Sequence, residues 1–133
     1  MSATKSKQAK AKEISLETKK AVMERQGWRS ISGVYLTEDH VEFHHVVGRG
    51  VGGIGLEFNI VAITPEEHRA FHDGADIKVN GRKRYTAKEF GTLMRNHLIL
   101  RYPHWNAESC KYHKMWSETD YWNAIKKGKN NDG

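Results

Sequence analysis

Cysteine is nearly absent from this chain of 133 residues, in which Cys110 stands alone. That excludes an intrachain disulfide framework and any zinc site built only from thiolates. No stretch stays apolar for the ~20 residues a membrane helix needs. The first residues lack the apolar run of a secretory signal. The chain is therefore expected to be soluble and cytoplasmic, with no membrane partner. A strong charge of one sign is also missing: 22 Lys and Arg stand against 16 Asp and Glu, a net +6. Such an excess suits a polyanion without requiring one. What the chain has in quantity is histidine, eight residues, so any tightly bound metal must be held by imidazoles and carboxylates. The length fits one domain.

Residues 1–12, "MSATKSKQAKAK", are small, polar and Lys-rich, and predict a disordered basic tail. "SLETKKAVMERQG" predicts a helix capped by Ser15 and stopped at Gly27. In "SGVYLTEDHVEFHH", Val34 and Leu36, a Glu38-Asp39 turn, then Val41 and Phe43 predict a short hairpin. "VVGRGVGGIGLEF" is too rich in glycine for a regular element and predicts a loop, followed by a strand at "NIVAI". Thr64, Pro65 and Glu67 spell a capping box with proline at the first helical position, so "TPEEHRAFHDG" predicts a short helix ending at Gly74. Asn80-Gly81 predicts a second hairpin within "IKVNGRKRY". Thr86 and Glu89 repeat the capping signal before a helix whose Phe90, Leu93, Met94, His97 and Leu98 share a face, stopped near Pro103. A short amphipathic helix in "YWNAIKKGKNNDG" precedes a frayed tail over 128–133. Trp28, Trp105, Trp116 and Trp122 are expected to pack rather than to stack on bases.

His68 and His72 lie four apart on the capped helix, so their imidazoles emerge from one face and can share an ion. By itself the pair is weak evidence. The adjacent pair His44-His45 strengthens it, because alternation along a strand sends the two side chains to opposite sides. One of them can join His68 and His72 as a third ligand. The other, unligated, can take a proton from an attacking water. Three protein ligands leave a position open for water or a phosphate oxygen, as catalysis requires. Asn59, between loop and strand, can bond backbone on both sides of the glycine loop.

Taken in order, His44-His45, Asn59, His68 and His72 within "EFHHVVGRGVGGIGLEFNIVAITPEEHRAFHDG" resemble the HNH endonuclease motif. The form is similar to that of the colicin DNases, which share a Glu two residues before the histidine pair, a glycine-containing loop, Asn-Ile, Thr-Pro and H-x-x-x-H. The match covers residues 41–74. The flanks "ETKKAVMERQGWRSISG" and "LRYPHWNAESCKYHKMW" resemble small stand-alone HNH proteins of phages and prophages. The resemblance implies an α+β fold with a ββα-metal (His-Me finger) core and flanking helices. Its implied layout is a single nuclease domain over 13–127, with core motif 41–74 and a C-terminal helical extension over 86–127. It implies His44, His68 and His72 as metal ligands, His45 as general base, Asn59 as the residue that shapes the loop, and Glu42 as a carboxylate behind the ligands.

Many phage relatives also carry two CxxC pairs for a structural zinc. Here the corresponding places read Ser30 and Ser32, then Thr64 and Glu67, which cannot form a thiolate site, so one divalent ion is expected. Three imidazoles favour zinc or nickel, while phosphoryl chemistry also suits magnesium or manganese. The expected activity is hydrolysis of phosphodiesters in DNA, double-stranded above all, in the host cytoplasm if the chain is phage encoded. Arg49 and Arg69 are the first candidates for gripping the phosphate backbone, with Arg82, Lys83 and Arg84 a further basic patch. The competing expectations are a metal-stabilised DNA-binding module without catalysis and, more distantly, a toxin-type nuclease held by an inhibitor.

Overall fold

Each α-helix among the described residues begins at a side-chain hydroxyl that caps it. The structure, a computed structural model, describes residues 5–128. Ser6 accepts from the Ala9 amide to open α1 (Lys7–Lys12), and Ser15 accepts from Thr18 to open α2 (Leu16–Arg25). After strands β1 (Glu42–His45) and β2 (Ile60–Ile63), Thr64 and Glu67 form the capping box of α3 (Pro65–His72). Strands β3 (Ile77–Val79) and β4 (Arg82–Tyr85) lead to Thr86 and Glu89, which box in α4 (Ala87–Arg101). Ser117 and Asp120 do the same for α5 (Glu118–Lys127). Satisfying these otherwise orphaned amides contributes roughly 1 kcal/mol per cap. The result is a mixed α+β fold with two small antiparallel sheets, and no helix among the described residues is long and apolar enough to cross a membrane.

β1 pairs with β2 in the register Glu42↔Ile63, Phe43↔Ala62, His44↔Val61 and His45↔Ile60. Every residue of β2 is buried. Its two faces look into different cores: Val61 and Ile63 join Phe58, Phe90, Met94 and Leu98, whereas Ile60 and Ala62 join Val22, Met23 and Leu36. At roughly 1.5–3 kcal/mol for a large apolar side chain taken out of water, this burial is what fixes the strand. β3 and β4 form the expected hairpin, with Asn80 and Gly81 both at positive φ as a tight primed turn requires. A half-buried guanidinium ties the layers together. Arg25 of α2 donates to the carbonyls of Glu57 and Ile60 at 2.8 and 2.6 Å, to Tyr102 at 3.2 Å and to His97 Nε2 at 3.0 Å.

Several expectations are corrected. The chain from Lys7 to Lys12 is helical, not a disordered tail; residues 1–4 lie outside the described residues. A six-residue helix does not persist alone, and α1 is held by docking: Ala11 packs against the larger core and its carbonyl accepts from the Gly55 amide at 2.8 Å. The early hairpin is reduced to the isolated bridges Arg29↔Tyr35 and Thr37↔His40. β1 instead pairs across the glycine loop with β2, because β2 brings apolar burial that the exposed Tyr35 segment lacks. Trp28 is 41 % exposed, lifted off the core by its own φ of 57°; the other three tryptophans pack as expected. α5 starts at Glu118, before the apolar residues that signalled it, and of the tail only Gly128 is described.

Candidate metal centre and cleft

β1 alternates as its sequence suggests. His44 is buried, 7 % exposed, while His45 beside it points to the other side. The buried ring meets the face of α3. His44 Nδ1 lies 3.3 Å from His68 Nε2, which lies 3.0 Å from His72 Nε2. These are the histidines among the described residues that could hold a metal ion, with ligand atoms within 4.8 Å of one another. A tetrahedral ion with metal–nitrogen bonds of about 2.0–2.1 Å separates its ligand atoms by about 3.3–3.4 Å. Two of the three separations are close to that spacing and the third lies within 4.8 Å, so the three histidines are near enough to hold a small divalent cation.

Two features prepare the nitrogens. His68 Nδ1–H donates to the Glu42 carboxylate at 2.7 Å, which leaves Nε2 with its lone pair toward the cluster. Burial, then the charges His68 and His72 would carry, push the His44 pKa down to about 3. Its imidazole is thus neutral, the form that binds metal, across ordinary pH. The Phe71 ring meets His44 edge-on at 5.2 Å and walls it from behind.

The glycine loop between the strands is clipped shut by Asn59, which is fully buried. Its Oδ1 accepts from the Val47 amide at 2.7 Å, and its Nδ2 donates to the carbonyls of Val47 and Ile54 at 3.0 and 2.8 Å. All but one of its hydrogen-bond sites are thereby used, and the loop ends are held next to β1. Gly53 lets the strands of the loop touch, since a Cβ there would sit 1.7 Å from the Val47 carbonyl oxygen.

An open cleft of about 680 Å³ runs over the three histidines. His45 lines it from β1, Arg49 from the loop, and Glu13, Ile14 and Lys19 from the N-terminal side. His45 Nε2 sits 2.8 Å from the Lys12 carbonyl oxygen. Burial holds the His45 pKa below the usual histidine range, with Arg49 adding to the effect and the Lys12 carbonyl opposing it. A neutral ring able to accept a proton, three nitrogens poised for an ion and a nearby guanidinium can together activate water beside an anion.

The sequence-derived residues thus separate into two groups. His44, His45, Glu42, Asn59, His68, His72 and Arg49 meet in or around one cleft. Arg69, Arg82, Lys83 and Arg84 are exposed and do not line it, and Lys83 is 3.8 Å from the Asp76 carboxylate. The Lys12 carbonyl and Lys19 were not foreseen: the first is a backbone group with no motif, and the second reads as an ordinary helix lysine.

Ser30, Ser32, Thr64 and Glu67 converge as well. Both serine hydroxyls donate to the Glu67 carboxylate, which also accepts from the Thr64 amide at 2.9 Å. The network joins the 30–32 turn to the first turn of α3, the helix that carries two of the three cluster histidines. Compared with models of known protein families, with curated proteins and with solved structures, the chain matches none.

Proposed function

We propose that the chain is a metal-dependent DNA endonuclease of HNH type, its β1, β2 and α3 forming a ββα-metal core. The observation that carries this reading is the pairing of His44 and His45 on one strand. His44 completes a three-nitrogen cluster while His45, unligated and neutral, shares the same cleft. A merely structural ion needs the first histidine and has no use for the second. When bound, the divalent ion, zinc, nickel, magnesium or manganese, supplies Lewis acidity and neutralises charge on the scissile phosphate and the departing 3′ oxygen.

The chain's own residues do the rest. His45 takes a proton from the water that attacks phosphorus, and Arg49 holds a phosphate of the backbone at the cleft edge. Asn59 keeps the loop, and with it the approach to His45, in place. Glu42 fixes the His68 ring. The net +6 charge favours a polyanionic substrate, double-stranded DNA in the cytoplasm of a phage-infected or prophage-bearing host.

Plasmid nicking by metal-stripped protein, with Mg²⁺, Mn²⁺, Ni²⁺ or Zn²⁺ added back, tests the reading beside His45→Ala. Conversion to open-circular or linear DNA that depends on the ion, and that His45→Ala loses while it still binds metal, is the expected result. Protein that binds metal and DNA yet leaves the plasmid intact with all four ions would make it a binding module instead.

A further inference from the structure

α1 ends with three carbonyls in succession, and each has found a partner. The Lys10 carbonyl accepts from the Glu13 amide at 3.1 Å, closing the helix. The Ala11 carbonyl accepts from Gly55 of the glycine loop at 2.8 Å. The Lys12 carbonyl meets His45 Nε2 at 2.8 Å, across 33 positions of sequence. Gly55 exists at this place for a steric reason: a Cβ there would lie 2.1 Å from the Glu13 carbonyl oxygen. The loop and the end of α1 are therefore in direct backbone contact, and His45 reaches the same end of the helix from β1.

A carbonyl oxygen has no proton to give. The nitrogen facing it must be the one that carries hydrogen, so His45 Nε2–H donates and Nδ1 keeps the lone pair. Because Nε2 remains a donor after Nδ1 gains a proton, the ring has no reason to turn during proton transfer.

We infer that the C-terminal end of α1 is a positioning element of the site: through the Lys12 carbonyl it fixes the ring of His45 and selects the tautomer whose basic nitrogen is Nδ1. The inference rests on the nuclease reading for its catalytic consequence, but the state of the ring is measurable without any activity. Lys12 and Arg49 line a separate concavity that runs from Ser6 to Gly50, and Arg49 also lines the cleft over the histidines.

The experiment uses the full chain in three variants. Lys10→Pro removes the hydrogen bond that the Lys10 N–H donates to the Ser6 carbonyl at 3.0 Å, and breaks α1. Gly55→Ala pushes the 11–13 segment away from the loop without touching α1's own sequence. Lys10→Ala removes the same charge as the first while keeping the helix. Long-range ¹H–¹⁵N NMR of the metal-free proteins, with His45 assigned by comparison with His45→Gln, reads the tautomer. Hydrolysis of bis(p-nitrophenyl) phosphate, too small to need the lysines, reads turnover, and calorimetric titration with Zn²⁺ reads the three-histidine cluster.

The wild type and Lys10→Ala are expected to show a single Nε2–H tautomer. Lys10→Pro and Gly55→Ala are expected to show a mixture, with kcat lower by about ten- to a hundredfold, a share of what a placed base contributes. KM for the small diester and the zinc affinity should stay within about twofold, consistent with a ligand cluster left intact. An Nδ1–H tautomer in the wild type, or an unchanged single tautomer in both disrupting variants, overturns the inference. If no form of the protein hydrolyses either substrate with any ion, the nuclease reading fails while the tautomer still decides whether α1 positions His45.

Discussion

Glu42 and His68 are joined through the ring nitrogen that faces away from the histidine cluster, at 2.7 Å. The contact spans β1 and α3, so the strand that presents His44 also sets the angle of a second cluster histidine. Removing the carboxylate leaves His68 free to swivel and lets either nitrogen carry the proton. Glu42→Ala is expected to weaken zinc binding by about 10- to 100-fold with little change in melting temperature, since Glu42 is exposed. Titration of the metal-stripped protein followed by calorimetry checks this, and an unchanged affinity would remove Glu42 from the site.

Asn59→Ala strands the Val47 amide and two carbonyls inside the protein. With each orphaned buried group costing about 1–3 kcal/mol, the variant should lose at least 3 kcal/mol, or on the order of 10 °C in melting temperature for a chain of this size. Thermal unfolding followed by circular dichroism is the measurement. A variant that melts within a degree or two of the wild type would show that the loop does not depend on this amide.

Glu67→Gln keeps the size of the side chain that receives Ser30, Ser32 and Thr64 but gives up its charge and one acceptor oxygen. A loss of about 1–2 kcal/mol is expected, the difference between charge-assisted and neutral hydrogen bonds. Equilibrium unfolding in urea gives the value. The same variant should bind zinc more weakly, because the network anchors the helix that bears His68 and His72. Stability and affinity both unchanged would contradict that anchoring.

His97 makes the folded protein sensitive to acid. Burial, followed by the neighbouring Arg25 and Arg101, lowers its pKa from the usual 6.5 to about 4. Between these values the unfolded chain binds more protons than the folded one, so stability falls as pH drops from 6.5 through 4. The loss is complete below about pH 4. His97→Gln retains an oxygen to accept from Arg25 and cannot titrate. Its denaturant midpoint is expected to change less between pH 7 and pH 4.5 than that of the wild type, both proteins free of metal. Equal slopes would mean that His97 is not the group responsible.

What the sequence disclosed follows from the range over which its signals act. His68 and His72 are one helical turn apart, and His44 and His45 obey the two-residue period of a strand, so local geometry alone placed their side chains. The capping boxes at Thr64 and Thr86 are equally local. Where chemistry depends on a distant partner, the signal vanishes. Arg25 looks like any helix-terminal arginine until its bonds to Glu57, Ile60 and His97 are seen. The Lys12 carbonyl belongs to every peptide unit and has no sequence signature. The partner of β1 was misread for the same reason: a neighbouring segment with the right alternation competes with a remote one, and the apolar area that the remote one buries decides.

The two faces of β2 divide the interior, and this determines how the protein could be altered. Val22, Met23 and Leu36 on one side and Phe90, Met94 and Leu98 on the other belong to different core clusters. Volume changes in one compartment need not be matched in the other, provided the strand between them keeps its shape. Directed variation could therefore redesign either half for heat resistance separately, leaving in place the strand that pairs with β1 and so supports His44 and His45.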